Sequence, residues 1–358
     1  MKTITTCLLL LFTTLSFAQT DKEKAAQLCQ AAIVKMDSGY TAPAIELLEE
    51  AMALDPDNYT YLYEIGYAHC IAKNFKQAIK KFKKVTKYPN ISDRVYQMLG
   101  NSYDWSGKPS KAIKTYETGL KKFPNSGRLH LERGNMEMMN KRYGKALRYY
   151  ENGIKVDPTF SSNYYWAAKI YGGSTEEVWA MIYGELFMNL ERNTIRTQEI
   201  SQMLFELYKS QITISPDSSI EISFSKNTTL QLNDLMDEDN FKLPFGIGVY
   251  EPLLGASVIN EKEINIASLN RIRQKFITAY FNSNHHEQYP NVLFEHQKEM
   301  LDLNHFESYN YWLLMMGDEE EFGMWHELNK ERWDEFVTWF VQHPMELNDS
   351  NKFYSYQY

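Results

Sequence analysis

Small residues recur every 34 positions along two rails. Ala44, Ala78, Ala112, Ala146 and Ala180 form one rail. Ala32, Gly66, Gly100, Gly134 and Ala168 form the other, twelve residues upstream each time. A fixed period of this length implies stacked copies of one supersecondary unit, each burying its apolar face against the next. Within a unit, two antiparallel helices, A then B, can approach closely only where side chains are small, and a larger residue would force them apart. Four residues after the B-helix alanine comes a filler, Leu48, Phe82, Tyr116 or Tyr150. That spacing is one helical turn, so the filler covers the same face. Pro56, Pro89, Pro124 and Pro158 then stop helix B. The fifth unit departs: Gly184 stands at the filler position, no proline follows, and Trp166 and Trp179 add bulk.

The period, the small residues at these two points, the filler and the closing proline together resemble the tetratricopeptide repeat. The likeness covers roughly half the chain. It implies a helical superhelix in which A helices line a concave groove and B helices form the convex side. The fold expected is mostly α, a helical-repeat superhelix followed by a mainly helical C-terminal domain with a short β-hairpin. The boundaries expected are a leader at 1–18, an array of about five units at 19–191, and a capping helix, β element and helical domain at 192–358.

The N-terminus reads as a secretory signal. Lys2 gives a positive start, Cys7 to Leu15 is apolar, and Ser16-Phe17-Ala18 precedes Gln19 as a small-residue cleavage site. No run approaches the 18 apolar residues of a membrane span. The expectation is a bacterial protein exported to the periplasm or beyond. Cleavage would leave Cys29 and Cys70, on A helices of adjacent units, seven unit positions apart. Seven residues of helix is roughly 10 Å, beyond disulfide reach, so two buried thiols are expected. No metal or cofactor is expected.

Charge is unevenly distributed. Residues 59–158 hold 20 Lys and Arg against 8 Asp and Glu, whereas 192–358 hold 13 against 26. The basic residues recur in register: Lys80, Lys114 and Arg148 share one position, and Lys87, Lys121 and Lys155 another. On B helices they would run along the convex side. One reading is a solvated face that keeps the array soluble, and the other is a docking stripe for an acidic partner. The export signal and the acidic total argue against nucleic acid.

Groove-facing A-helix positions read Arg94, Gln97 and Asn101 in the third unit and Arg128 and Asn135 in the fourth, with Tyr63 and Tyr67 in the second and Tyr165 and Lys169 in the fifth. Asparagines can bond the backbone of an extended peptide and flanking arginines can take a carboxylate. This arrangement is in part similar to the carboxylate clamp of cochaperones, but Cys29 and Ile33 occupy the first unit's clamp positions.

In the C-terminal half, Arg192 to Ser210 reads as a capping helix, Ile212 to Leu230 as a β-hairpin, and Asp234 to Gly255 as a loop-like linker rich in Pro and Gly. Helical periodicity returns over 268–281, 290–303, 306–316 and 319–340. Trp333, Phe336, Trp339 and Phe340 fall on one face, fit either for core or for an aromatic platform. Ser223-Phe224-Ser225-Lys226 fits Ser-x-x-Lys without companion motifs, and Gly246-Ile247-Gly248 lacks a third glycine. The function expected is a non-catalytic protein- or peptide-binding scaffold of the cell envelope. The rivals are an envelope hydrolase with its site in the C-terminal half and a structural protein whose halves dock on each other by charge.

Overall fold

The computed structural model describes residues 20–215, 219–226 and 243–357. Residues 1–19, on which the expected leader falls, 216–218, 227–242 and 358 lie outside the described residues. The chain forms two compact units, one ending at Thr115 and the other beginning at Tyr116.

The first unit contains α1 (Asp21–Asp37), α2 (Thr41–Leu54), α3 (Tyr59–Ile71), α4 (Phe75–Val85) and α5 (Arg94–Trp105), and α6 (Pro109–Lys122) crosses the boundary. From α1 to α5 each helix packs on the next in sequence, and α1, α3 and α5 also touch in succession. Ala32, Ala44 and Ala78 are completely buried, as are the fillers Leu48 and Phe82. The glycine rail has a sharper cause than a helix crossing. A Cβ on Gly66 would lie 2.9 Å from the Phe82 ring, so the filler of helix B lies over the small residue of helix A.

The first four A helices end alike. Gly39, Lys73, Gly107 and Lys141 stand 34 apart, and all have left-handed backbone, with φ of 82°, 55°, 74° and 58°. In the second repeat the Lys73 amide donates to the Cys70 carbonyl and the Asn74 amide to that of His69. The same pair of bonds recurs in the others, which is the Schellman closure of a helix C-terminus. The Gly107-Lys108 pair is therefore a turn between helices.

The second unit continues with α7 (Gly127–Met139), α8 (Tyr143–Val156), α9 (Ser161–Tyr171), α10 (Glu177–Leu190) and α11 (Ile195–Gln211). Strands β1 (Ile212–Ile214) and β2 (Ile220–Ile222) pair antiparallel with Ile212 opposite Ile222. A π-helical turn, Gly246–Tyr250, then runs into α12 (Glu251–Val258). It is followed by α13 (Ile266–Asn282), α14 (His285–Gln288), α15 (Val292–Asp302), α16 (Phe306–Leu314), α17 (Glu319–Leu328) and α18 (Lys330–Gln342).

Two sequence expectations need correcting. The linker read over 234–255 is helical from Phe245 onward. Its Pro252 sits in the first turn of α12, where a missing N–H costs nothing. Gly246 and Gly248 give room to Ser225 and Leu243, which a Cβ would meet at 2.7 and 2.8 Å. The single helix read over 319–340 is broken at Asn329, whose side-chain amide donates to the Trp325 carbonyl at 2.8 Å.

One apolar core runs from Leu131 to Phe353 and joins the last repeats to everything after them. It absorbs Tyr309, Tyr311, Trp312, Trp325, Phe336 and Phe340, so most of the aromatic crowd is core. In α10 every residue from Glu177 to Asn189 is buried. Gly184 replaces a filler there because α11 supplies the bulk: a Cβ at that position would meet Leu204 at 3.0 Å and Ile200 at 3.2 Å. Within this core Glu185 accepts from Arg273 Nη1 at 3.0 Å, Gln297 Nε2 at 2.5 Å and the Tyr309 hydroxyl at 2.9 Å. Arg273 Nη2 forms the second arm of a bidentate pair. This buried cluster ties α10 to α13, α15 and α16.

Candidate interaction surface

In the first unit the A helices keep one face uncovered. Tyr63 and Tyr67 lie one turn apart on α3, and Ile71 extends the row by another turn. On α5, Arg94, Gln97 and Asn101 are continued by Trp105. Arg94 is exposed, Gln97 and Asn101 are half-buried, and Tyr63 lies edge-on to Phe82 at 5.4 Å. Tyr67, Ile71 and Trp105 are exposed by 41, 38 and 50%. Trp105 also meets the Phe75 ring at 5.8 Å. Ile71 and Trp105 were overlooked in the sequence, where only the four standard groove positions were considered. The signal was present: both lie four residues beyond a named site residue. Glu64 sits beside this row, and burial pushes its carboxyl up while the Arg94 charge pulls it back. The face combines aromatic area, amides and a guanidinium, the mixture that binds extended chain through both side chains and backbone.

In the second unit the corresponding residues also have partners within the fold. The Asn135 oxygen accepts from the Tyr150 hydroxyl at 2.9 Å, so this amide pins the filler of its own repeat. Arg128 lies over the Phe160 ring at 5.3 Å. Tyr165 and Lys169 both bond Glu199 of α11; Tyr165 is buried and Lys169 stays partly exposed. The last repeat thus does not offer the open face expected of it, because α11 packs on that face.

The six residues of the basic stripe are all exposed, Lys80 and Lys87 in the first unit, Lys114 on α6, and Lys121, Arg148 and Lys155 in the second. Cys29 and Cys70 are buried free thiols, as their spacing required. The Ser-x-x-Lys stretch is the end of the hairpin: the Ser225 hydroxyl donates to Glu176 at 2.6 Å and the Lys226 amide to the Thr175 carbonyl at 2.8 Å. Among the described residues no group of three or more His, Cys, Asp or Glu is placed to hold a metal ion. Nor is any described helix long and apolar enough to cross a membrane.

The repeats also match a known family. A tetratricopeptide-repeat family model matches residues 29–90 and 98–158. Among solved structures, pilF of Pseudomonas aeruginosa is 17% identical, covering 52% of this chain and 86% of its own, with a TM-score of 0.44. MamA from Desulfovibrio magneticus RS-1 is 17% identical over 48% of this chain and 96% of its own, with a TM-score of 0.36. A tetratricopeptide protein of Thermus thermophilus is 14% identical over 50% and 98%, with a TM-score of 0.42. No curated protein matches the chain. Residues 29–90 and 98–158 thus match the tetratricopeptide repeat, and repeats of this kind support a protein-interaction or scaffold module.

Proposed function

We propose that the chain is an exported, non-catalytic scaffold of the bacterial cell envelope that grips an extended protein segment along the uncovered faces of α3 and α5. The observation that supports this most is the exposure of Tyr67, Ile71 and Trp105 beside Arg94 and Asn101. Large aromatic and aliphatic side chains standing clear of the core in a contiguous row mark an interaction site. The leader-like residues 1–18 support the location. The basic stripe supports an acidic character in the partner, since each exposed lysine adds a little attraction and several together steer the encounter.

A peptide library displayed on phage and selected on residues 19–358 tests the site directly. A selected peptide should lose about tenfold or more in affinity when Tyr67 and Trp105 are both changed to alanine, because buried aromatic anchors carry most of such binding energy. It should be indifferent to Leu328→Ala, which removes an exposed apolar residue on α17, away from α3 and α5. Affinity unchanged by the Tyr67 and Trp105 changes would place the site elsewhere. Mass spectrometry of the protein recovered from its native host should find a chain beginning at Gln19, and a chain retaining residues 1–18 would sink the export reading.

A further inference from the structure

The segment 344–357, which follows α18, adopts neither α-helix nor strand, and its last three residues before Tyr358 make one 3-10 turn. It nevertheless lies against three consecutive repeat helices of the second unit. Phe353 is fully buried, 5.7 Å from the Trp179 ring and 5.3 Å from that of Phe245. Two residues on, the Ser355 amide donates to the Tyr183 hydroxyl at 2.8 Å. The Ser355 hydroxyl bonds the carboxylate of Glu151. Lys352 Nζ reaches the backbone carbonyl of Lys155 at 2.7 Å.

These contacts have the form of peptide recognition. An aromatic anchor fills an apolar pocket, a main-chain N–H is read by a side chain, and a hydroxyl is read by a carboxylate. The seat is built from Glu151 on α8, Tyr171 on α9, and Trp179 and Tyr183 on α10, with Phe245 beside the Phe353 ring. Glu151 is its centre. It is 1% exposed, and its Oε1 accepts from Tyr171 at 3.0 Å and Tyr183 at 2.9 Å as well as from Ser355. The Tyr356 hydroxyl of the same segment also lies beside this carboxylate. Arg148 and Lys155 of the basic stripe flank it on α8, one on either side of Glu151.

We propose that residues 344–357 are an intramolecular ligand occupying a second peptide-binding seat on α8–α10. The external ligand of that seat is an extended peptide carrying an aromatic residue two positions before a hydroxyl residue. While the segment is seated, such a peptide is excluded. The seat is separate from the α3 and α5 face, and either can fail without the other.

The test keeps the whole chain. A specific protease site is placed between His343 and Pro344, both exposed, and cut after folding. A fluorescent peptide of residues 344–358 is then added to cut and uncut protein. Anisotropy should rise with the cut protein and stay flat with the uncut. Peptides with Phe353→Ala or Ser355→Ala should bind about tenfold or more weakly, as should the wild-type peptide to a Glu151→Gln protein. In the uncut chain, Phe353→Ala should open the seat and admit the labelled wild-type peptide. Three results would each overturn the proposal: loss of the folded far-ultraviolet signal on cutting, which makes the segment a core element; a folded cut protein that takes up no peptide; or equal binding by all the peptides.

Discussion

The same 34-residue grammar has two outcomes in this chain. In the unit ending at Thr115, repeats built on Ala44, Ala78 and the Gly66 rail leave Tyr67, Ile71 and Trp105 standing clear of the core. In the unit beginning at Tyr116, the last repeat, with the same rails, is absorbed, although Met139 on α7, in register with Ile71 and Trp105, is still 68% exposed. Leu131 and Tyr165 are buried, Lys169 is tied to Glu199, and α10 has no exposed side before its last residue. The rails are shared, so the difference comes from the helices C-terminal to the repeats. A repeat whose A-helix face stays solvated can bind, whereas one whose face is packed by α11 and the helices after it serves as a foundation. The second unit therefore shows what the repeat surface does when covered, and the C-terminal segment on Glu151 shows one way of covering it.

The largest test of that contrast removes the ion pair that fuses repeat to cap. Arg273→Met leaves Glu185 buried and without its cation, which should cost about 3–5 kcal/mol. Hydrogen exchange should then accelerate in α9, α10, α13, α15 and α16, with α1–α4 as the internal reference. Exchange that rises equally in both sets, or in neither, would mean that Glu185 is not what binds the last repeat to the later helices.

A second comparison uses the glycine rail in both units. A Cβ at Gly134 would lie 2.2 Å from the Tyr150 ring, against 2.9 Å between one at Gly66 and the Phe82 ring. The Tyr150 ring is also held by its hydroxyl bond to Asn135, whereas Phe82 has no hydroxyl to restrain it. Gly134→Ala should therefore cost toward the upper end of roughly 1–3 kcal/mol and Gly66→Ala clearly less. Denaturant midpoints for the two variants decide it, and equal losses would show that the ring in the covered unit retreats as easily as the one in the open unit.

Acid should also separate the units. Burial is the main cause that pushes the His296 imidazole down to about 4 from 6.5, with the Arg192 and His343 charges adding to it. Glu299, 3.7 Å away, is half exposed and too screened to reverse this. The unfolded chain takes up a proton near 6.5 and the folded chain only near 4, so stability is present above 6.5 and falls as the pH drops through that window. The loss should be about 2–3 kcal/mol by pH 4. His69 in the first unit shifts the same way, chiefly by burial, but is less deeply set. A His296→Gln variant should flatten the profile between pH 6.5 and 4, and a slope that persists would assign the acid sensitivity to other groups.

How much of this could be read from residues depends on the range of the forces. The rails, fillers and proline stops were legible because each is fixed by neighbours within one unit. The correction at 234–255 arose because Pro252 and Gly246 look like loop residues in isolation, and only Ser225 and the first turn of α12 explain them. The break at Asn329 gave no strong signal, since the apolar period of 319–340 continues through it. The row Tyr67, Ile71, Trp105 was readable by extending a named stripe one turn. The Glu151 seat was not: its donors come from Ser355, 204 positions away, and nothing local marks a buried glutamate as the centre of a tyrosine pair.

The smallest test asks whether the two units are alike where neither is covered. Each of the first four A helices closes on a left-handed residue, glycine at 39 and 107 but lysine at 73 and 141. An L-residue there bears a steric cost of about 1 kcal/mol that glycine does not, partly offset by the extra freedom glycine has when unfolded. Lys73→Gly and Lys141→Gly should each stabilise by about 0.5 kcal/mol, and the reverse change Gly107→Lys should cost a similar amount, since a Cβ there meets nothing within 4 Å and only the backbone objects. The two lysines have φ of 55° and 58°, so the gains should match to within experimental error. Chemical denaturation of the two single variants reads the comparison directly. Matching gains would mean that the turn is a property of the repeat alone. A gain at Lys73 with none at Lys141 would mean that the packing which buries α10 reaches back to the turns of α7 and α8, and the division between open and covered repeats would then have to be drawn earlier in the chain.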